Sequence, residues 1–110
     1  MIKYPKPTDH EPVWSQYIAR TWWMHAEPEF VAADGSRVDI LSSEVAWEVE
    51  WAKKWQESIG QAVWYSIVTS RKGGVILLLR NKPTEKVYIA RCAACCRAAG
   101  LEFQVFETRK

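Results

Sequence analysis

The apolar run Val75–Leu79 places the strongest constraint on the fold. It is the longest uninterrupted apolar stretch of the chain, and Gly73-Gly74 is expected to break the chain just before a strand over Val75–Arg80. A run this short cannot span a bilayer. It is typical of a strand that is buried on both faces, as in a sheet covered by helices. The run therefore predicts an α/β domain.

The rest of the chain predicts helices and strands in the order αβββαβαβ. Pro28 is expected to end the first helix, Asp34-Gly35 predicts a hairpin turn, and Gly100 ends the last helix. A hairpin meander followed by a βαβ crossover predicts one domain over residues 1–110, a mixed central sheet flanked by helices, with residues 1–9 as an extended lead-in. The predicted elements are a helix over residues 11–25, strands Glu29–Ala33, Arg37–Leu41 and Val45–Trp51, a helix over Lys53–Thr69, strand Val75–Arg80, a helix over Thr84–Ala99 and strand Leu101–Phe106.

The N-terminal residues Met1–Pro12 contain no apolar run that could act as a signal peptide, so we expect a cytoplasmic protein without a membrane partner. The three cysteines agree with this, because an odd number is a poor basis for a disulfide framework. A zinc or iron–sulfur site needs four ligands, so Cys92, Cys95 and Cys96 are expected to be small buried hydrophobic residues. The net charge of +2 allows a polyanionic partner without requiring one.

Three acidic residues fall at positions that adjacent strands bring together. Because strand side chains alternate, Glu48 and Glu50 project from one face of Val45–Trp51. If Ser43-Glu44 is a two-residue hairpin loop, Asp39 pairs directly opposite Glu48, with Cβ atoms about 4.5–5.5 Å apart. Carboxylates at this spacing repel one another. A raised pKa on one of the acids would offset the repulsion, as would a nearby lysine or arginine. A divalent cation such as Mg²⁺ or Mn²⁺ offsets it best, because these ions prefer oxygen ligands.

Taken alone, the alternation favours a plainer interpretation, in which Glu48 and Glu50 form the solvent-facing side of an edge strand. Lys53 and Lys54, at the start of the next helix, favour the metal site instead. An ammonium group there can reach back over the carboxylates and offset charge that develops on a phosphate. The helix dipole disfavours cations in a first turn, so two lysines beside three acids indicate a paired or functional role.

Together these motifs resemble the PD-(D/E)xK nuclease superfamily, and more closely its small stand-alone members from phage and bacterial genomes. The resemblance covers roughly Glu29–Leu79. It implies a restriction-endonuclease-like core, whose element order is the one predicted above. The segments that carry it are Asp34-Gly35-Ser36-Arg37-Val38-Asp39, Trp47-Glu48-Val49-Glu50-Trp51-Ala52-Lys53-Lys54-Trp55 and Ser58-Ile59-Gly60-Gln61.

The resemblance implies a role for each acid. Asp39 matches the central metal-binding aspartate, and Glu48 matches the first acid of the second motif. Glu29 matches an acid that often completes the metal site, with Glu27 as the alternative. Glu50 is the main departure, because the family usually has a lysine at this position. The implied ligands of one or two Mg²⁺ or Mn²⁺ ions are therefore Asp39, Glu48, Glu50 and Glu29.

The resemblance also supplies the missing lysine and two further residues. Related subfamilies with an acid in place of the usual lysine recruit the lysine from the following helix, where Lys54 is the matching position and Lys53 the alternative. Gln61 and Tyr65 fit the Gln-x-x-x-Tyr pattern of RecB-type members, and positions i and i+4 share a helix face. A polar surface residue and a packed tyrosine are the plainer interpretation of this pair.

The implied activity is metal-dependent hydrolysis of phosphodiester bonds, with catalytic residues Asp39, Glu48, Glu50, Lys54 and Gln61. Nucleic acid is the implied partner, with DNA favoured over RNA, and the candidate contacts are Arg37, Lys53, Tyr65, Arg71 and Lys72. For the arginines and Lys72, solvated surface charge is the plainer alternative. Two other functions stay open. One is a catalytically inactive nucleic-acid- or partner-binding domain, and the other a dimeric junction nuclease whose homodimer interface would use Trp22-Trp23.

Overall fold

A computed structural model describes residues 3–22 and 26–109. The predicted element order is confirmed: three helices surround a five-stranded mixed sheet in a single α/β domain. None of the helices in these two ranges is long and apolar enough to cross a membrane. The elements are α1 (Glu11–Trp22), β1 (Glu27–Val31), β2 (Arg37–Leu41), β3 (Val45–Trp51), a 3₁₀ turn (Ala52–Lys54), α2 (Trp55–Thr69), β4 (Lys72–Leu79), α3 (Lys82–Ala99) and β5 (Glu102–Glu107).

The strands lie in the sheet in chain order, from β1 to β5. β1, β2 and β3 form an antiparallel meander, and β4 and β5 continue the sheet in parallel with β3. β3 is therefore the middle strand. The two parallel connections need crossovers, which α2 and α3 provide. Since β3, β4 and β5 run in the same direction, their carboxyl ends meet at one edge of the sheet.

Two apolar layers cover the two faces of the sheet. On one face α1 packs through Trp14 and Ile18 against Trp47, Val49 and other side chains of the central strands. On the other face α2 and α3 pack on the opposite side chains of β4; this cluster contains Ala62, Val75, Leu77, Leu79, Cys92 and Cys96. Cys92 and Cys96 are buried as predicted, whereas Cys95 is exposed. The predicted burial of the run Val75–Leu79 on both faces is confirmed.

The prediction that Gly73-Gly74 breaks the chain before β4 is wrong. Both glycines lie inside the strand, paired with Ala46 and Trp47 of β3. A side chain at Gly73 would collide with the backbone carbonyl of Ala62 in α2, and a Cβ at Gly74 would lie 2.6 Å from the Trp47 ring. The glycines are needed for close approach, not for a turn.

The other differences from prediction concern where elements begin and end. Pro28 does more than mark the end of the first helix, because it lies within β1. β1 is an edge strand and therefore tolerates a residue without an N–H. The last three residues of the predicted first helix, 23–25, lie outside the described residues. β2 and β3 have the predicted bounds.

Replacement of Gly73 by alanine should destabilise the fold by about 1–3 kcal/mol, because the added methyl group meets backbone that cannot move without shifting α2. Gly60 is the matched control. It lies within α2, a Cβ there meets no atom within 4 Å, and Gly60→Ala should stabilise the helix by about 0.5–1 kcal/mol. Urea unfolding of the two variants and the wild type measures both effects. Equal stability of Gly73→Ala and the wild type would contradict the packing described here.

Candidate active site

Glu48 and Glu50 lie in the interior of the protein. They are only 6% and 8% exposed, because β3 is the central strand and α2 covers this face. The interpretation that they form the solvent-facing side of an edge strand is therefore wrong. Burying two ionised carboxylates in this way is costly unless they are paired, protonated or bound to a cation.

Asp39 lies beside Glu48, as the sequence predicts. The pairs Ile40–Trp47 and Leu41–Ala46 set the register of β2 against β3, and its continuation places Asp39 opposite Glu48. The register also confirms the two-residue loop Ser43-Glu44. The carboxyl groups of Asp39 and Glu48 hydrogen-bond to each other, which requires that one of them carries a proton. In the absence of a cation, the two acids therefore share one negative charge.

The backbone is irregular where Asp39 lies. In a regular strand Val38 and Ile40 would face the same side, yet Ile40 packs under α1 while Val38 packs with Leu41 and Tyr65 on the opposite face. The N–H of Val49 donates to Oδ2 of Asp39 at 2.8 Å. The Asp39 side chain thus serves as an acceptor for β3 at the point where the regular alternation of β2 fails.

Glu29 is the second irregular residue, and it lies opposite Asp39. The pairs Pro28–Ile40 and Phe30–Val38 flank this position. Glu29 has a φ of 54°, in the left-handed region that residues other than glycine seldom adopt. Strained backbone of this kind is concentrated at functional sites, where the surrounding structure holds it in place.

One carboxylate oxygen of Glu29 lacks a partner. Among the side chains that the structure describes, Oε2 of Glu29 is the buried oxygen or nitrogen atom without a hydrogen bond. Burial and the charge of Asp39 raise the pKa of Glu29, while Arg37 opposes the shift. Glu27, the alternative ligand, is exposed and pairs with Leu41 at the start of β1, two residues from Glu29. The structure therefore brings Glu29 to the acidic site.

Tyr65 reaches the same acids from α2. It is 6% exposed, and its hydroxyl hydrogen-bonds to the carboxyl of Glu48. Burial and the nearby charges of Asp39 and Glu48 raise the pKa of Tyr65 above its ordinary value, so its hydroxyl stays a donor. Tyr65 therefore orients Glu48, and its predicted contact with nucleic acid stays a prediction. Gln61, one helical turn earlier, is exposed.

The electrostatics of the acids follow from burial and from a shortage of positive charge. Burial raises the pKa of Glu48, and the hydrogen bond and charge of Asp39 raise it further. Burial also raises the pKa of Asp39, although its hydrogen bonds to Glu48 and Val49 oppose the shift. In the described part of the chain the ion pairs are Lys72–Glu102 and Lys82–Glu107, and neither includes an acid of this cluster.

Glu50 is the acid closest to the lysines. Burial raises the pKa of Glu50 to about 7, a hydrogen bond from the N–H of Trp51 lowers it, and the charge of Lys54 also lowers it. Lys54 ends the 3₁₀ turn and lies at the N-terminus of α2. Lys53 and Lys54 are both exposed and both line a cavity of about 220 Å³ at the carboxyl end of β3.

Glu11 is a member of the site that sequence reasoning missed. It lies in the first turn of α1, and its charge raises the pKa of both Asp39 and Glu50. It also lines the cavity that contains the lysines. An acidic residue in a first turn is common in helices because it complements the dipole, so nothing in the sequence marks Glu11 as different.

The predicted phosphate contacts separate into two groups. Arg37 is exposed at the start of β2, and its charge acts on Glu29, so it lies near the acids. Lys72 pairs with Val45 at the opposite end of β3 from Glu50, about 17 Å along the strand. Its ammonium group is paired with Glu102, and Arg71 beside it donates to the carbonyl of Ser42 at 2.6 Å. The structure does not bring Arg71 and Lys72 to the acidic cluster.

The acidic side chains of the cluster offer the type of donor atom that a hard divalent cation prefers. Their donors are carboxylate oxygens, one of which is buried without a partner. Their arrangement is not that of a metal site, because among the described residues no three His, Cys, Asp or Glu side chains are grouped so that they could hold a metal ion. Asp39 and Glu48 are instead hydrogen-bonded to each other. A cation would have to take the place of the shared proton.

The chain matches no protein-family model, no curated protein and no solved structure.

The pKa of Glu50 makes stability depend on pH. Because the folded pKa is about 7 and the ordinary value 4.5, the stabilising protonated form is fully present below about pH 4.5 and is lost as the pH rises through 7. In EDTA the free energy of unfolding of the wild type should fall by about 2–3 kcal/mol more across this window than that of Glu50→Gln. Glu44→Gln, in the exposed β2–β3 loop, is the control and should behave as the wild type. A Glu50→Gln profile parallel to the wild type would contradict the shift.

Proposed function

We propose that the chain is a Mg²⁺- or Mn²⁺-dependent nuclease that hydrolyses phosphodiester bonds, with DNA as the favoured substrate. One observation carries the proposal: Glu48 and Glu50 are buried and Asp39 beside them is partly buried, and none of the three forms an ion pair among the described residues. A fold gains no stability from such an arrangement. Binding of a metal cation would explain why these acids lie together.

The finer fold assignment belongs to the same proposal. We assign the domain to the restriction-endonuclease-like core of the PD-(D/E)xK superfamily. The element order, the position of Asp39 opposite Glu48 and the entry of Lys54 from the segment after β3 all support this assignment. The departure at Glu50 is accommodated, because the charge of Lys54 acts on the Glu50 carboxyl although the two residues come from different elements.

Asp39, Glu48, Glu50 and Glu29 would hold the cation. A divalent ion supplies Lewis-acid activation of water and phosphate at neutral pH. Lys54, whose charge acts on Glu50, would offset negative charge that develops on the phosphate. Tyr65 acts through Glu48 and is a positioning residue. Gln61 is exposed one turn from Tyr65 and can donate to a phosphate oxygen.

Phosphate groups of the substrate would contact the basic side chains around the acidic cluster. Arg37 lies on one side, beside Glu29, and Lys53 lies on the other, beside Lys54. Such contacts are independent of base sequence and weaken as salt rises. Arg71 and Lys72 lie too far from the acids to bind the phosphate that is cleaved, and they would act only on a longer substrate.

Cleavage of labelled DNA with Mg²⁺, Mn²⁺ or EDTA tests the activity directly. Glu48→Gln, which keeps the shape of the side chain, should abolish metal-dependent cleavage. Lys54→Ala should lower kcat by at least about a hundredfold, as expected for loss of a group that stabilises transition-state charge. Lys53→Ala is the matched comparison: it should raise KM through the lost phosphate contact and leave kcat largely unchanged. A folded wild type that cleaves no single-stranded, duplex or branched DNA or RNA with either metal would instead favour a catalytically inactive binding domain.

Binding of the cation can be measured without a substrate. At pH 8, saturating Mg²⁺ or Mn²⁺ should stabilise the wild type by about 2–3 kcal/mol when present at a hundred times its Kd. Asp39→Asn and Glu48→Gln should lose this stabilisation. Both variants should be more stable than the wild type in EDTA, since each removes a buried acid. Equal stabilisation of wild type and variants by the metal would place its binding site elsewhere.

A further inference from the structure

Trp64 is an exposed aromatic side chain on the helix that contributes Tyr65 to the acidic site. It lies on α2 directly before Tyr65, whose hydroxyl contacts Glu48, and it is 46% exposed. Large aromatic side chains are usually more buried than this, because their apolar area favours the interior. The packing of the core does not account for Trp64, which belongs to none of the three apolar clusters.

The indole of Trp64 is held in place although it is exposed. Its Nε1–H donates to Oγ of Ser36 at 2.9 Å, and Oγ of Ser36 donates to Oδ2 of Asp34 at 2.7 Å. The N–H of Ser36 also donates to Oδ1 of Asp34 at 2.9 Å, which fixes the turn between β1 and β2. Holding a surface side chain in one orientation costs conformational entropy. The hydrogen bonds use the edge of the ring and leave its faces available for contact.

Gly60 leaves space beside this ring. It precedes Trp64 by four residues, so both lie on the same face of α2, and helical side chains lean towards the N-terminus. A Cβ at Gly60 would meet no atom within 4 Å. In contrast to Gly73 and Gly74, no neighbouring atom requires a glycine at this position, and a glycine weakens the helix. Its effect is to keep the surface next to the indole open.

The surroundings of Trp64 suit a nucleotide. Ser36 precedes Asp39 by three residues on the same hairpin, so the anchored edge of the ring is about 10 Å along the strand from the acids. Arg37 lies between them and is exposed, where it can contact a phosphate. Along the chain, the residue that anchors the ring, Arg37 and Asp39 follow one another within four residues.

We propose that Trp64 is a stacking platform for an unpaired base, which makes single-stranded DNA the preferred substrate of the site. This inference rests on the proposed function for the cleavage step, but binding itself needs no catalysis. Stacking of a base on an aromatic side chain tolerates any sequence, because every base has a π-face. A paired base inside a duplex presents no free face to the ring.

Equilibrium binding in EDTA tests the platform. A short labelled oligothymidylate is titrated against each protein. The comparison is a blunt hairpin duplex of equal charge, closed by a non-nucleotide linker so that it contains no unpaired base. Trp64→Ala should weaken binding of the single strand roughly five- to a hundredfold and leave binding of the hairpin unchanged. Trp64→Phe should retain most of the affinity. Ile67→Ala removes an apolar side chain that is 61% exposed on the same helix, and as the control it should have no effect.

Two further measurements keep the result independent of folding defects. Gly60→Leu retains the indole but fills the space beside it, and it should weaken single-strand binding as Trp64→Ala does. Oligothymidylate should also quench indole fluorescence in the wild type more than in Trp64→Phe.

Equal affinities of the wild type and Trp64→Ala for the single strand, or equal losses for single strand and hairpin, would overturn the platform. If either result is found and the protein still cleaves DNA in a metal-dependent reaction, the nuclease activity is supported and the stacking platform is ruled out. If no cleavage is found while single-strand binding depends on Trp64, the platform stands and the nuclease fails.

Discussion

The hydrogen bond between the carboxyl groups of Asp39 and Glu48 is the interaction on which the site depends. It allows two acids to occupy the middle of a sheet, because one proton halves the charge that must be buried. Tyr65 and the N–H of Val49 then have defined acceptors. Without that proton or a cation in its place, the interior would contain two uncompensated charges, at a cost of several kcal/mol per ion. The chemistry of the site and the stability of the central strand therefore depend on the same hydrogen bond.

Much of the sheet could be predicted because short-range rules determine it. Alternation and turn residues give β2 and β3 their bounds, and the loop Ser43-Glu44 sets the register that brings Asp39 opposite Glu48. The burial of Glu48 and Glu50 could not be predicted in the same way. A strand of alternating apolar and acidic residues has the same pattern at an edge and at the centre of a sheet. Only the strand order, a long-range property, distinguishes the two positions.

The features that sequence reasoning missed are geometric. The left-handed φ of Glu29 and the change of facing between Val38 and Ile40 interrupt an ordinary period, and no residue type announces them. Gly73 was misjudged because glycine signals a turn as often as it signals close packing. Glu11 reaches the acids from a helix that lies far away in the sequence. In each case the missing information is which elements meet in space.

The strand that contributes Asp39 is joined only lightly to the rest of the sheet. β2 and β3 share two residue pairs, whereas β3 and β4 share seven. The seam between β2 and β3 is therefore the least paired in the sheet, and the acids lie on this boundary between the β1–β2 hairpin and the β3–β5 unit. A ligand that contacts Asp39 and Glu48 at once joins the two units. Part of its binding free energy is then used to close that boundary, so the measured affinity reports on the docking of the hairpin as well as on the ligand contacts themselves.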